Sequence, residues 1–388
     1  MTTTMNYLTL EKCLEYADLG WLDKHESADG KLVGFKYSRQ TVYDGAWDEI
    51  TLQCRGIVFD KSTGDIIAHP FNKFFNYEEI YDVTTDDGYM RLTKLGETLM
   101  RLGHEFEPRI TKNFRAMDKL DGSLGILFYY EDKWIVKTAG SFDSDQAKWA
   151  QNWFDTKIDN DRKELHLDKD WTYCFEIISN EDPHVCHYDY EGLVLLGFFD
   201  ENHTEAEMVE IADLAYKLDI RYSEMIYFDS MEKMIAQAKK LDVDHEGFVV
   251  TFSSGFKMKI KGVEYLEKFK MMSAISKKDV RAHFDIEALV VEPTYMMQIP
   301  EELWKIRKYG EDLQAKCYDI KMRALGANSM ITGLEGRERY EKAVQIMGKR
   351  YACLAINLAT GRKINDLVFK FAVEELKSQG DDDGDNDE

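Results

Sequence analysis

The hydrophobic pattern of this chain changes period near Gly262, and that change restricts the fold more than any other feature. From about residue 31 onward the apolar residues fall in short runs separated by turn signals. "RGIVFDKSTGDIIAHPF" is two β-rich runs around S-T-G-D, "SLGILFYYEDKWIVKTAGSF" is a second pair around E-D-K, and "EGFVVTFSSGFKMKIK" reads as a final hairpin. "WTYCFEIIS" and "EGLVLLGFFD" read as further strands, with helices expected near 7–18, 143–157, 205–218 and 230–240. After Gly262, "VEYLEKFKMMSAISKKDVRAHF", "EELWKIRKYGEDLQAKCYDIKMRAL" and "GRERYEKAVQIMGKRYACLAINLA" carry 3.6-type spacing with almost no β-branched runs. The pattern predicts an α+β domain over 1–262, a helical domain over 263–380 and an acidic, solvated tail over 381–388. A chain of 388 residues is long enough for two cores.

Composition narrows the function. The six cysteines form no C-x-x-C pair, which argues against a disulfide framework or a zinc ribbon and fits a reducing cytoplasm. No apolar run is long enough to span a bilayer, and the N-terminus does not read as a secretory signal. A net charge of −22 is unsuited to diffuse binding of a polyanion, and six of those charges lie in the tail. Between Thr251 and Arg281, however, eight basic residues face three acidic ones, which leaves room for a focused basic groove.

Within "FRAMDKLDGSLGILFYY" a lysine, Lys119, interrupts a strand-forming run and is followed at once by D-G-S. Alone, the segment reads as a strand end with a snorkelling lysine and a D-G turn. Other charged residues stand in similar apolar settings: Arg55 in C-R-G-I-V-F-D, Lys73 in N-K-F-F, Glu176 in F-E-I-I, and Glu246-Gly247 at the head of a strand. Lys257, Lys259 and Lys261 alternate with apolar residues and so share one face of a strand. Each has an ordinary reading as the polar face of an amphipathic strand. Together they suggest a pocket for a polyphosphate and its metal.

A lysine near its reference pKa of about 10.4 is neutral in roughly one part in a thousand at physiological pH. A fall of about two units, from desolvation and neighbouring cations, recovers roughly a hundredfold in nucleophile. Asp121 and Gly122 would turn the chain so that the amine faces the pocket, and the carboxylates would hold a divalent cation or ribose hydroxyls. The chemistry indicated is attack on the α-phosphorus of a nucleotide to give a lysyl phosphoramidate. No G-x-x-x-x-G-K-[ST] or strand-borne G-x-G-x-x-G offers a different nucleotide site. His184, Cys186 and His187 match no zinc spacing and are read as loop or pocket edge.

Taken in order, Lys119-Leu-Asp121-Gly122-Ser123, Glu176 in F-E-I-I, Glu246-Gly247 and Lys259-Ile-Lys261 resemble motifs I, III, IV and V of the covalent nucleotidyltransferases. With "CRGIVFD", "HPFNKFFNYEE" and "KIKGVEY", the finer resemblance is to the phage RNA ligase 1 family, the tRNA-repair ligases, over roughly 33–270. That resemblance implies an ATP-grasp-like, antiparallel-sheet nucleotidyltransferase domain followed by an all-helical C-terminal domain. It also implies an ATP-dependent RNA ligase that works with Mg²⁺, or Mn²⁺ in its place. Lys119 would be the adenylated nucleophile. Arg55 and Glu176 would contact ribose and α-phosphate, Lys73 the outgoing phosphates, and Phe75 would line the pocket. Tyr37, Asp121, Gly122 and Tyr265 would complete the ATP site, and Lys259 and Lys261 would bind the α-phosphate. Glu246, with Glu176, would serve the metal.

Lys257 lies outside the motif and is expected as an RNA contact. The chain departs from the family at Ala139, where a basic residue is usual, with Lys137 two positions earlier, and in the Tyr37–Arg55 spacing, offset by one residue. DNA ligases and capping enzymes resemble one another in an OB-fold after motif V. The helical pattern here favours RNA ends as partner, cleaved tRNA being what the resemblance suggests; the helical domain would either contact that RNA or buttress the catalytic domain. A capping-type guanylyltransferase, a nick-sealing DNA ligase and a non-catalytic nucleotide- or RNA-binding module are the alternatives.

Overall fold

The computed structural model describes residues 8–82, 91–104, 114–181, 184–300 and 303–378, so the expected tail over 381–388 lies outside the described residues. The chain divides into two compact units, Met1–Phe269 and Lys270–Glu388.

Three sheets organise the first unit. A four-stranded meander runs Leu22–Glu26, Leu32–Tyr37, Arg55–Asp60, Ile66–Ala68. A five-stranded sheet has the order Lys133–Thr138, Ser123–Tyr130, Thr172–Ile178, Gly192–Phe199, Arg221–Tyr222. The other five-stranded sheet has the order Met225–Ile226, Phe114–Lys119, Gly247–Phe252, Lys257–Lys261, Phe75–Asn76. Pairing is antiparallel except at Gly192–Phe199 with Arg221–Tyr222, and at Lys257–Lys261 with Phe75–Asn76.

The period-2 alternation of strands decides which residues are left for chemistry. Tyr173, Phe175 and Ile177 pack in one apolar cluster with Phe154 of helix Asp145–Lys157 and with Ile211 and Leu214 of helix Met208–Leu218. Cys174, Glu176 and Ile178 therefore project from the opposite face. In the other large sheet, Ala116, Phe248, Val250, Met258 and Ile260 pack with Met231 and Met234 of helix Met231–Ala238. That burial turns Met117 and Lys119, Val249, and Lys259 and Lys261 to the opposite face. Side chains such as Phe175, Tyr173 and Val250 are fully buried, at about 1.5–3 kcal/mol each for a large apolar group, which fixes this choice of face.

Short helices outside the expectation from periodicity include Arg39–Asp44, Lys94–Arg101 and Asn160–His166. Each of these spans little more than two turns at most, and each begins at a side-chain cap (Ser38, Thr93, Asp159).

The second unit is helical: Lys277–Ala282, Pro293–Met296, Trp304–Ile331, Gly336–Ala359 and Asn365–Ser378. A small hairpin, Phe284–Asp285 with Val290–Val291, interrupts the helices. Leu313, Cys317, Ile320, Ala324, Ala327 and Ile331 recur every three or four residues along the longest helix and are all buried, which makes them its core stripe. Among the described residues no helix is long and apolar enough to cross a membrane.

Candidate active site

The antiparallel register sets Lys119 opposite Gly247, and Gly247 opposite Lys261, so one row across three strands carries both lysines on one face. Glu246, immediately before that row, reaches back between them. Its Oε2 accepts from Lys119 Nζ at 2.6 Å and its Oε1 from Lys261 Nζ at 2.6 Å, and its side chain is only 2% exposed. Burial by itself would raise the Glu246 carboxyl, but the two ammonium groups outweigh it and hold the group below the usual carboxylate range.

This crossing needs a glycine at 247. Its φ is +146°, and an added Cβ would lie 2.0 Å from the Ile260 carbonyl oxygen. Gly247→Ala is expected to cost at least about 2 kcal/mol in urea unfolding, through backbone strain and the clash together. A variant as stable as the parent would mean the strands do not cross this closely.

Glu176 faces the same cleft from the neighbouring sheet. Burial pushes its carboxyl up to about 7; Lys119 and Arg55 oppose the rise, while Glu246 and Asp121 add to it. Such a group keeps its proton in the folded chain over a range where the unfolded chain has released it. Its contribution to stability therefore declines as pH climbs from about 4.5 to about 7, then levels off. Glu176→Gln is expected to remove that decline, so unfolding free energies of variant and parent should diverge across the interval and run parallel above it.

The K-x-D-G segment locks the lysine in place. Both oxygens of Asp121 are engaged: Oδ2 accepts from the Val185 and Cys186 amides at 2.8 and 3.0 Å, and Oδ1 accepts from Tyr265 Oη at 3.0 Å. The Asp121 amide donates to Tyr188 Oη at 2.7 Å. Asp121 and Tyr265 thus act here as a tie between the lysine's turn and the 184–188 loop. A Cβ at Gly122 would lie 2.8 Å from Glu176 Cγ, so the absent side chain lets this turn touch the strand of Glu176.

Arg55 and Lys73 occupy different surroundings. The Arg55 guanidinium stacks over Phe74 at 4.4 Å, and its Nη1 is buried with no hydrogen-bond acceptor among the described residues. A buried donor of this kind is completed at little cost by an anionic or oxygen-rich ligand. Lys73 sits 5.0 Å from the rings of Tyr37 and Phe75 and 5.6 Å from Trp47, so three aromatic rings hold one buried cation. Phe75–Asn76 pairs with Met258–Lys259, which places this group beside the strand of the site lysines.

Two expectations change. Lys257, expected to be available to RNA, is 10% exposed and engaged by Glu205 at 2.7 Å and by Thr251 Oγ1 at 2.9 Å, with Arg115 on the same carboxylate. Lys119 was expected in a cage of cations. Its close charged neighbour is instead the Glu246 carboxylate, with Lys261 beyond it. Tyr188 and Glu205 had no sequence signal, since nothing in H-Y-D-Y or T-E-A-E distinguishes them until the strands are paired.

Among the described residues no cluster of three or more histidine, cysteine or acidic side chains offers a ready metal site. Each oxygen of Glu246 already carries an ammonium partner, whereas Glu176 faces the same cleft with its carboxyl pushed up by burial.

Residues 53–265, more than half of the chain, match the family model described as RNA ligase. A protein of Autographa californica nuclear polyhedrosis virus, provisionally named a bifunctional polynucleotide kinase/RNA ligase, is 24% identical over 243 residues, 58% of this chain and 32% of that protein. An RNA ligase of Rhodothermus phage RM378 is 26% identical over 188 residues, 43% of this chain and 41% of that protein. A protein of Thermovibrio ammonificans, provisionally named an RNA ligase, is 23% identical over 381 residues, 96% of this chain and 84% of that protein. The matches thus cover well under two thirds of the viral and phage relatives' own lengths.

Proposed function

This chain belongs to the RNA ligase family, and we propose that it is an ATP-dependent enzyme joining 5′-phosphate and 3′-hydroxyl RNA ends through a covalent lysyl-AMP intermediate. The observation that carries the reading is the Lys119–Glu246–Lys261 triad, built on a buried carboxylate with both N–O distances at 2.6 Å.

In this reading Lys119 Nζ attacks the α-phosphorus of ATP, forming an N–P bond as the bond to pyrophosphate breaks. A primary ammonium must lose a proton to attack, and Glu246 Oε2 already accepts a hydrogen bond from it. Lys261 stays on Oε1 as the fixed cation of the site, placed to face developing phosphoryl charge. Adenylation leaves Lys119 uncharged, which frees one Glu246 oxygen from its ion pair. The AMP then passes to an RNA 5′-phosphate, giving a 5′-5′ linkage, and a 3′-hydroxyl displaces AMP to seal the strand. Arg55, with its unsatisfied Nη1, serves the nucleotide's ribose and α-phosphate. Lys73, Phe75 and Tyr37 form the wall toward the outgoing phosphates, and Lys259 supports Lys261 on the same strand face.

A divalent cation, Mg²⁺ or Mn²⁺, would be held by Glu176, and by Glu246 once Lys119 is adenylated; it would supply charge neutralisation on phosphate oxygens. Cleaved tRNA is the proposed RNA, with the division into a catalytic segment over 1–262 and a helical RNA-recognition segment over 263–380.

The reading is tested with the intact chain, ATP and Mg²⁺, followed by a 5′-phosphorylated single-stranded RNA. The expected result is a mass increase of one AMP on the protein and a circular RNA product. GTP replacing ATP as the labelling nucleotide, or nicked duplex DNA outcompeting RNA, would replace the reading with a capping or DNA-sealing one.

A further inference from the structure

Lys137 is the most deeply buried lysine described, with 0% of its surface exposed, and the chemistry above does not use it. Its Nζ donates to three backbone carbonyls: Thr138 at 2.6 Å, Gly56 at 3.3 Å and Ala139 at 3.4 Å. Phe142 lies 5.2 Å away under the same cation. Among the described residues no carboxylate offsets the charge in this pocket, and burial followed by the nearby Lys36 pushes the amine down to about 7. The adjacent His25 is pushed down to about 3 by burial, then by Lys137 and Lys36. A lysine kept in so unfavourable a setting needs a compensating role, and three carbonyls converging on one nitrogen supply it.

The position of those carbonyls gives the role. Lys137 shares a row with Ile126 and Cys174 on the face that also carries Glu176. Gly56 follows Arg55 directly, and the pairing of Leu32–Tyr37 with Arg55–Asp60 passes over it, from Phe35↔Ile57 to Lys36↔Arg55. The strand is therefore irregular where Arg55 must be aimed, and a bulge of this kind re-aims the residue beside it. Lys137 closes on that irregular peptide from the neighbouring sheet and ties it to the Thr138–Ala139 turn.

We propose that Lys137 is a positioning residue that fixes the peptide after Arg55, and with it the direction of the Arg55 guanidinium toward the bound nucleotide. The proposal rests on the reading of Arg55 as a nucleotide ligand. It also assigns the basic residue of the K-T-A-G-S-F segment to the interior, not to RNA or phosphate. Misplacement of a ligating group by about 1 Å costs up to a hundredfold, so a loss between about tenfold and a hundredfold is the expected scale.

The test is a double-mutant cycle on ATP affinity, measured by calorimetry, with adduct formation followed by mass in parallel. Lys137→Met keeps the side-chain length and removes every donor; it is expected to weaken ATP binding at least about tenfold. In an Arg55→Ala background the same substitution is expected to change affinity less than about twofold, because the group it positions is gone. Lys137→Arg, which keeps charged donors, is expected to retain more affinity than Lys137→Met, and it carries the same cycle if the methionine variant does not fold. Equal losses with and without Arg55, or no loss with Arg55 present, would overturn the proposal. A parent chain that binds ATP yet never gains AMP would instead overturn the functional reading and leave the cycle to decide this one.

Discussion

Lys119→Ala is expected to carry no covalent AMP under conditions where the parent chain is fully adenylated, and to seal no 5′-phosphate RNA. The reason is stoichiometric: the amine is the atom that bonds to phosphorus, and Lys261 is held on the far oxygen of Glu246. Oxygen-only groups on that face cannot form the acid-labile, base-stable N–P bond the reading requires. The substitution should leave the fold intact, since removing Lys119 leaves Glu246 paired with Lys261 and so strands no buried charge. The useful complement is supply of pre-adenylated RNA, which bypasses the amine; Lys119→Ala is expected to seal it, because the Glu246, Lys261 and Arg55 surroundings are unchanged. Adduct on the alanine variant at the parent's level would remove Lys119 from the chemistry.

Glu246→Gln is expected to damage both folding and activity. In the parent, one carboxylate answers two ammonium groups with almost no solvent present. The amide offers a single carbonyl oxygen and turns an N–H₂ toward the other lysine. Breaking a buried ion pair by removing one partner costs about 3–5 kcal/mol, and the lowered carboxyl of Glu246 reports the same interaction from the acid side. That depressed carboxyl contributes stability above its unfolded pKa of about 4.5 and loses it as pH falls through the folded value. The variant should therefore differ most from the parent near neutrality and little in acid. Urea unfolding at about pH 4 and 7 reads both limbs. A variant equal to the parent at pH 7 would show that the triad holds neither lysine.

How much of this was open to reading depends on the range of each interaction. Alternation in F-K-M-K-I-K already put Lys259 and Lys261 on one face, and apolar neighbours already marked Lys119, Glu176 and Glu246 as costly to bury without a purpose. The switch to helical spacing after Gly262 is legible for the same reason, because a helix's apolar stripe is a local pattern. The partner of each charge was another matter. Lys257 has the same local pattern as Lys259, yet Glu205, 52 residues away in sequence, takes it out of the open set. Lys137 reads as an ordinary strand residue until three carbonyls from two segments meet its nitrogen.

The sequence by itself determined the strands, their buried faces and the list of charged residues that those faces leave over. It did so because side-chain alternation and burial are properties of neighbours along the chain. Only the tertiary structure decided that Lys119 and Lys261 share one carboxylate, that Glu176 holds its proton up to about 7, and that Asp121 is a tie between loops. Those facts depend on register between strands more than a hundred residues apart, and on solvent exclusion between sheets. Electrostatic energy varies with distance and surroundings in space, and spacing along the chain encodes neither.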